Sequence, residues 1–169
     1  MKKFLILLLA LNVFFVGCKG TPAQTPTFEN GYKSCVEIVY ANDTYFAEIS
    51  RIGQGMWDVT FSSPDNINGM AMHYENGEVG VKYKGISVSL PSDKVPMKSV
   101  VQTVFETLDD IYTNQNAKAK NAEAGTIVVE GEINGNSYIV TFDKDGKLLG
   151  VNLPSCKLSV KVTNETKEE

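Results

Sequence analysis

The chain is predicted to be mainly β, of the α+β class: a curved antiparallel meander of about ten strands, forming a half-barrel capped by one main amphipathic helix. Three observations point there. Apolar and polar side chains alternate at period two along most of residues 36–163, the signature of a sheet with one face buried and one wet. Turn chemistry interrupts that alternation at intervals of about 8–12 residues. One segment alone, after Pro96, changes to the 3.6-residue helical period.

Each element follows in order. Val36, Ile38 and Tyr40 alternate with Glu37 and Val39, and Asn42-Asp43 ends the run. Tyr45, Ala47 and Ile49 form the second strand, closed by Gly53-Gln54-Gly55. Trp57, Val59 and Phe61 face away from Asp58 and Thr60 on the third. Met70, Met72 and Tyr74 alternate with Ala71 and His73, and Asn76-Gly77 is a hairpin signal. Val79, Val81 and Tyr83 come next, then Ile86, Val88 and Leu90 after Gly85. The helix follows Pro91 and Pro96: Val100, Val101, Val104, Phe105, Leu108 and Ile111 share one face, with Ser99 placed to cap its start. The polar, alanine-containing YTNQNAKAKNAEAG is expected to be the helix end plus a loop. Strands then resume at 126–132, 137–142, 147–151 and 157–163, separated by turns at Asn134-Gly135 and Asp143-Lys144-Asp145-Gly146. One helix over so long a sheet implies a sheet that curls, because curling shields more of the apolar face.

Residues 1–17 have the form of a secretory signal: a basic head at Lys2 and Lys3, then an apolar run from Phe4 to Val16. That run is shorter than the ~20 residues that span a bilayer. The border Phe15-Val16-Gly17-Cys18 resembles the lipobox of bacterial lipoproteins, with Phe where Leu is usual. The resemblance implies a diacylglycerol thioether on Cys18, cleavage after Gly17 and acylation, such as by palmitate, of the new amino terminus. Acyl chains then replace a helix as the membrane hold, each buried CH₂ contributing about 0.8 kcal/mol. Residues 18–31 are the lipidated cysteine and its tether, 32–163 the folded domain, and 164–169 a disordered acidic tail.

The remainder is long enough for one domain with its own core. The formal charge of −4 becomes −6 once Lys2 and Lys3 leave, and Arg51 is the sole arginine. No basic face is available to neutralise phosphates, which argues against nucleic acid. Cys35 and Cys156 remain after cleavage. In an oxidising compartment they could bridge, closing nearly the whole domain with roughly 4–5 kcal/mol of chain-entropy stabilisation, or stay as two small buried thiols.

The run YFAEISRIGQGMWDVTFSSPDNINGMAMHYENGEVGVKYKGISVSL carries a family likeness in its W-x-V-x-F strand (Trp57 to Phe61), Ser63-Pro64 turn and Asn68-Gly69 pair, and FDKDGKLLGVNLP (Phe142 to Pro154) adds a closing hairpin. These features resemble the lipoprotein-carrier superfamily (LolA/LolB-like), and among it the GerS-type lipoproteins of Gram-positive spore formers. The likeness covers most of residues 34–163. It implies an open half-barrel whose concave apolar face is capped by helical structure. In carriers of this kind that face holds acyl chains; in GerS-type proteins a similar scaffold serves protein–protein contact. A lipid anchor and a single arginine depart from the soluble carriers. Fold likeness alone transfers no function.

Catalytic and metal chemistries find little purchase. His73 is the one histidine, it lies on the strand face opposite Met70, Met72 and Tyr74, and no G-x-S-x-G elbow is present. Met72 and His73 point to opposite faces, which argues against a Cu(I) site; one histidine without closely spaced cysteines does not suit zinc. Asp143-x-Asp145-Gly146 begins like a calcium loop, but an apolar LLGV run follows, and a tight hairpin with Gly146 at positive φ accounts for it better. No catalytic residue, metal or cofactor is expected.

The apolar face is the candidate site. Trp57, Val59 and Phe61, then Met70, Met72 and Tyr74, then Val81, Val88 and Leu90 either line a groove or meet Val104, Phe105 and Leu108 of the helix in a dry core. Two functions are therefore expected. The first is a non-enzymatic, membrane-anchored extracytoplasmic lipoprotein that binds an acyl chain or a partner protein at the cell envelope. The alternative is a structural or interaction module of an envelope or germination assembly, fully packed and without ligand.

Overall fold

A computed structural model of the chain describes residues 31–75, 77–91, 98–113, 117–122 and 125–163, with Ala23 and Pro26. The signal segment, Cys18, most of the tether and the acidic tail lie outside the described residues, as do the side chains of Leu90, Ser99, Val100 and Val101.

Eleven strands form one antiparallel sheet: β1 (Lys33–Tyr40), β2 (Asp43–Gly53), β3 (Met56–Ser63), β4 (Ala71–Glu75), β5 (Glu78–Tyr83), β6 (Ile86–Pro91), β7 (Lys118–Asn121), β8 (Ile127–Ile133), β9 (Asn136–Phe142), β10 (Leu148–Leu153) and β11 (Leu158–Thr163). The order across the sheet is β6-β5-β4-β3-β2-β1-β11-β10-β9-β8-β7. Two meanders are thus joined at the centre, where β1 pairs with β11 from Cys35↔Thr163 to Tyr40↔Leu158. Helix α1 (Lys98–Thr113) connects the two outer edges, β6 and β7.

Period-two burial bears out the strand reading. Val36 and Ile38, Ala47 and Ile49, Trp57, Val59 and Phe61, and Met72 and Tyr74 are buried on one face. Val129, Tyr138, Val140 and Phe142 continue it in the second meander. On β10 the register slips between Leu148 and Gly150, so Leu148 and Val151 both point inward across a bulge. Gly150 is needed there, because a Cβ would stand 2.7 Å from the carbonyl oxygen of Val160.

The sheet curls around the helix, and one side chain makes that plain. Glu106 of α1 accepts from Tyr74 Oη of β4 at 3.4 Å and from Asn134 Nδ2 of the β8–β9 turn at 3.0 Å. Five strands separate β4 from β9 in sheet order, so a flat sheet would hold them about 29 Å apart at ~4.8 Å per strand. A single carboxylate reaches both, which only a half-barrel allows. Among the described residues the sheet stays open between β6 and β7.

One expectation is corrected, and of the two cysteine alternatives the unbridged one is met. The stretch read as loop contains β7, a four-residue edge strand KAKN paired with β8. Cys35 and Cys156 do not bridge: both are free thiols. Cys35 sits beside Thr163 at one end of the β1–β11 ladder, and Cys156 lies in the 3-10 turn Pro154–Cys156 beyond the other end. A disulfide needs Cα atoms within about 7 Å, and the ladder's length of roughly 17 Å between them forbids it.

Candidate functional site

The helix fills the inner face at its centre. Val104, Phe105, Leu108 and Ile111 are buried, as their helical spacing predicts. Phe105 stacks on Trp57 at 4.9 Å between ring centroids, 9° from parallel, and lies 6.3 Å from Tyr74. A stack of this kind adds about 1 kcal/mol beyond the area it buries.

Polar contacts then bolt the helix down. Asp109 accepts from Arg51 Nε at 3.1 Å, Trp57 Nε1 at 2.9 Å and the Gly55 backbone N–H at 2.9 Å. Arg51, inward-facing on β2, is 2% exposed, and its guanidinium carbon lies 6.0 Å from the Trp57 ring centroid. Tyr138 Oη donates to Asp110 at 2.8 Å. Burial, with Asp110 alongside, holds the Tyr138 phenol protonated far above its ordinary range; burial and then Glu106 raise Tyr74 likewise. The Tyr138 ring lies over Gly131, its cross-strand partner on β8, where a Cβ would come within 2.3 Å of the ring. A cavity of about 290 Å³ at this end is lined by Glu106, Asp109 and Asp110, whose carboxylates are engaged in these bonds.

The expected groove residues accordingly divide. Trp57, Val59, Phe61, Met72, Tyr74, Val104, Phe105 and Leu108 are buried in the core. Met70 and Val81 are half-buried against it, and Val88 is 44% exposed. Ile86, 68% exposed, continues the same face of β6, as its register opposite Tyr83 shows. Sequence reasoning did not single out Arg51, Glu106, Asp109, Asp110 or Tyr138. The signals were present: inward parity for Arg51 and an Asp-Asp pair flanking apolar helix positions.

The outer face holds a second cavity, an open trough of about 620 Å³ crossing β2 to β6. Two cross-strand rows build it. Ser50, Asp58, His73, Gly80 and Ser89 follow one another in register, and beside them run Glu48, Thr60, Ala71, Lys82 and Ser87. His73 Nδ1 lies 2.6 Å from Asp58 Oδ1, and Nε2 3.4 Å from Glu75 Oε2. The hydrogen bond to Asp58 raises the imidazole above its ordinary value against partial burial, with Glu75 adding to the rise. His73 thus occupies the wet face, opposite Met72. The Asp143 loop is a hairpin closed on itself: Asp143 Oδ1 accepts from the Asp145 and Lys147 backbone N–H groups at 2.9 and 2.8 Å, and Gly146 has φ of +81°. Among the described residues no three His, Cys, Asp or Glu side chains are grouped to hold a metal ion.

No protein-family pattern matches the sequence, and no curated protein aligns with it at a significant level. Solved structures do match. A chain of the complex between the CwlD amidase and the GerS lipoprotein of Clostridioides difficile superposes with a TM-score of 0.52 at 16% identity, over 99% of this chain and 96% of that one. An uncharacterised conserved protein of Thermus thermophilus gives 0.49 at 13% identity, with 82% of each chain covered. A LolA superfamily protein of Nitrosomonas europaea gives 0.41 at 10% identity over 83% of this chain and 87% of that one. The first match shows the fold alone: this chain shares its open, helix-capped antiparallel sheet with that chain.

Proposed function

We propose that the chain is a membrane-anchored extracytoplasmic lipoprotein that holds a partner protein at the cell envelope, without catalysis and without an acyl-chain cargo. The observation that carries this reading is the filled interior. Eight of the twelve groove candidates are 0–9% exposed, and Asp109 and Glu106 tie the helix to both halves of the sheet. An acyl chain requires a continuous apolar void, and the space around Trp57 is taken by Phe105.

The fold neighbour supports the mode of action, since in the C. difficile structure the GerS lipoprotein is in complex with an amidase. Anchoring rests on the lipobox-like border at Cys18; among the described residues no helix is long and apolar enough to cross a membrane. Thioether-linked acyl chains would keep the domain at the outer surface of the membrane, where a partner is met in two dimensions. The role suits a component of an envelope or germination assembly.

A second reading, acyl-chain binding, is favoured by one observation: Val88 and Ile86 on the inner face of β6 are 44% and 68% exposed. Native mass spectrometry of the protein extracted from its host membrane in mild detergent separates the two. The expected spectrum shows a covalent lipid mass on the Cys18 peptide and a bound protein subunit. An additional non-covalent fatty acyl species in place of that subunit would replace the first reading by the second, and an unmodified Cys18 thiol would remove the anchor.

A further inference from the structure

Gly80 is a glycine without a structural reason. It lies mid-strand in β5 opposite His73, its φ is not positive, and a Cβ built there would make only ordinary contacts, 3.7 Å to His73 Cβ and 3.8 Å to the His73 carbonyl oxygen. Gly131 and Gly150, by contrast, are required by a ring and a carbonyl at 2.3 and 2.7 Å. A glycine inside a strand weakens it and often marks a bulge, a tight bend or a site that a ligand or another backbone approaches closely. The pairings of β5 with β4 and β6 show no bulge. Gly80 lies on the floor of the outer trough.

The chemistry around the floor is specific. Ala71 shares it, and the hydroxyls of Ser50, Thr60, Ser87 and Ser89 stand along the walls without a protein partner among the described residues. Each such hydroxyl both donates and accepts. The charges nearly cancel: Glu48 faces Lys33 at 2.9 Å, Asp58 and Glu75 flank His73, and Lys82 adds one positive charge. The trough runs across the strands, where backbone groups are already spent in the ladders, so recognition falls to side chains. A peptide strand added to a sheet would instead use an edge and its backbone. Five strands at ~4.8 Å give a track about 19 Å long. A ligand suited to it is extended, uncharged and able to donate and accept along its whole length.

We propose that the trough floored by Gly80 and Ala71, between the Asp58–His73 pair and the serines of β6, binds a linear, uncharged, hydroxyl-rich glycan. This stands apart from the partner reading above and lies on the face of the sheet away from the helix.

The test is an NMR titration of the full mature chain in detergent micelles with chitotetraose and with cellotetraose, repeated on Gly80→Val. Valine suits a strand, its Cβ would make only ordinary contacts, and its two methyls add bulk at the floor. Saturable shifts in the amides of β4 to β6 are expected with at least one glycan, weakened tenfold or more by Gly80→Val, while urea unfolding shows that variant at least as stable as the parent. Lys161→Ala, on β11 away from the trough, should bind as the parent does. Binding unchanged in Gly80→Val, or no saturable shift with either glycan, overturns the proposal. Shifts produced only by a Ser/Asn hexapeptide, run as a third titrant, overturn it in favour of a peptide site.

Discussion

Replacing Asp109 by alanine tests whether the helix is fastened from its polar side. The carboxylate, 14% exposed, receives three donors at once: the 2%-exposed Arg51, the Trp57 indole and the Gly55 backbone N–H. Removing one partner of a buried charge pair costs about 3–5 kcal/mol, most of it from the charge left behind. Partial access of water to Asp109 places the expected loss near the lower end, about 3 kcal/mol. With a urea m-value of about 2 kcal/mol/M, the midpoint should fall by roughly 1.5 M, and Tm by about 10 °C. Trp57 is the only tryptophan in the chain and lies inside the contact, so its fluorescence reports the transition directly. Asp110→Ala, which takes away the acceptor of the buried Tyr138 hydroxyl, should cost about 1–3 kcal/mol. Asp145→Ala on the exposed hairpin should stay within ~0.5 kcal/mol of the parent. An Asp109→Ala loss below ~0.5 kcal/mol, the scatter of ordinary surface changes, would refute the argument, for it would mean that the Phe105–Trp57 stack and the surrounding apolar burial hold the helix alone.

The His73 imidazole should titrate above 6.5 in the folded protein, since Asp58 and Glu75 favour its charged form. A raised folded value contributes stability that is fully present below about pH 6.5 and is lost as pH rises through the folded pKa. Following the ring carbon signals by NMR, Asp58→Asn should lower the midpoint; a parent midpoint at or below 6.5 contradicts the assignment. Gly131→Ala forces a methyl into the Tyr138 ring and should cost about 2 kcal/mol by overpacking. Urea unfolding should show that cost vanish in a Tyr138→Ala background, and an equal cost in both backgrounds would place the strain elsewhere.

Strands were legible wherever one face is buried, because side chains such as Trp57, Val59 and Phe61 must alternate with Asp58 and Thr60. β7 escaped for a physical reason. KAKN pairs on one side only and is built of Lys, Ala and Asn, residues that strands disfavour, so its lysines read as loop while serving to protect an edge. The core membership of Val104, Phe105 and Leu108 followed from helical spacing. Whether they closed a groove or plugged it did not, since that depends on how tightly the sheet wraps. Wrapping is set by pairings distant in sequence, such as β1 with β11 and Glu106 with Asn134. Arg51 could have been placed inward by counting from Ile49; its acceptor, 58 residues away on the helix, carries no local signal. The outer trough was invisible because Ser87 and Ser89 look like any solvent-facing alternation until register sets them beside Gly80.

The seam between β1 and β11 has a consequence for biogenesis. The first strand to be made must wait for the last, so the two meanders meet only after almost the entire domain is available. Contacts so far apart along the chain are slow to form, and until they do the hydrophobic linings of two unfinished half-sheets stay open to water and to neighbouring chains. Folding therefore ends at the middle of the sheet.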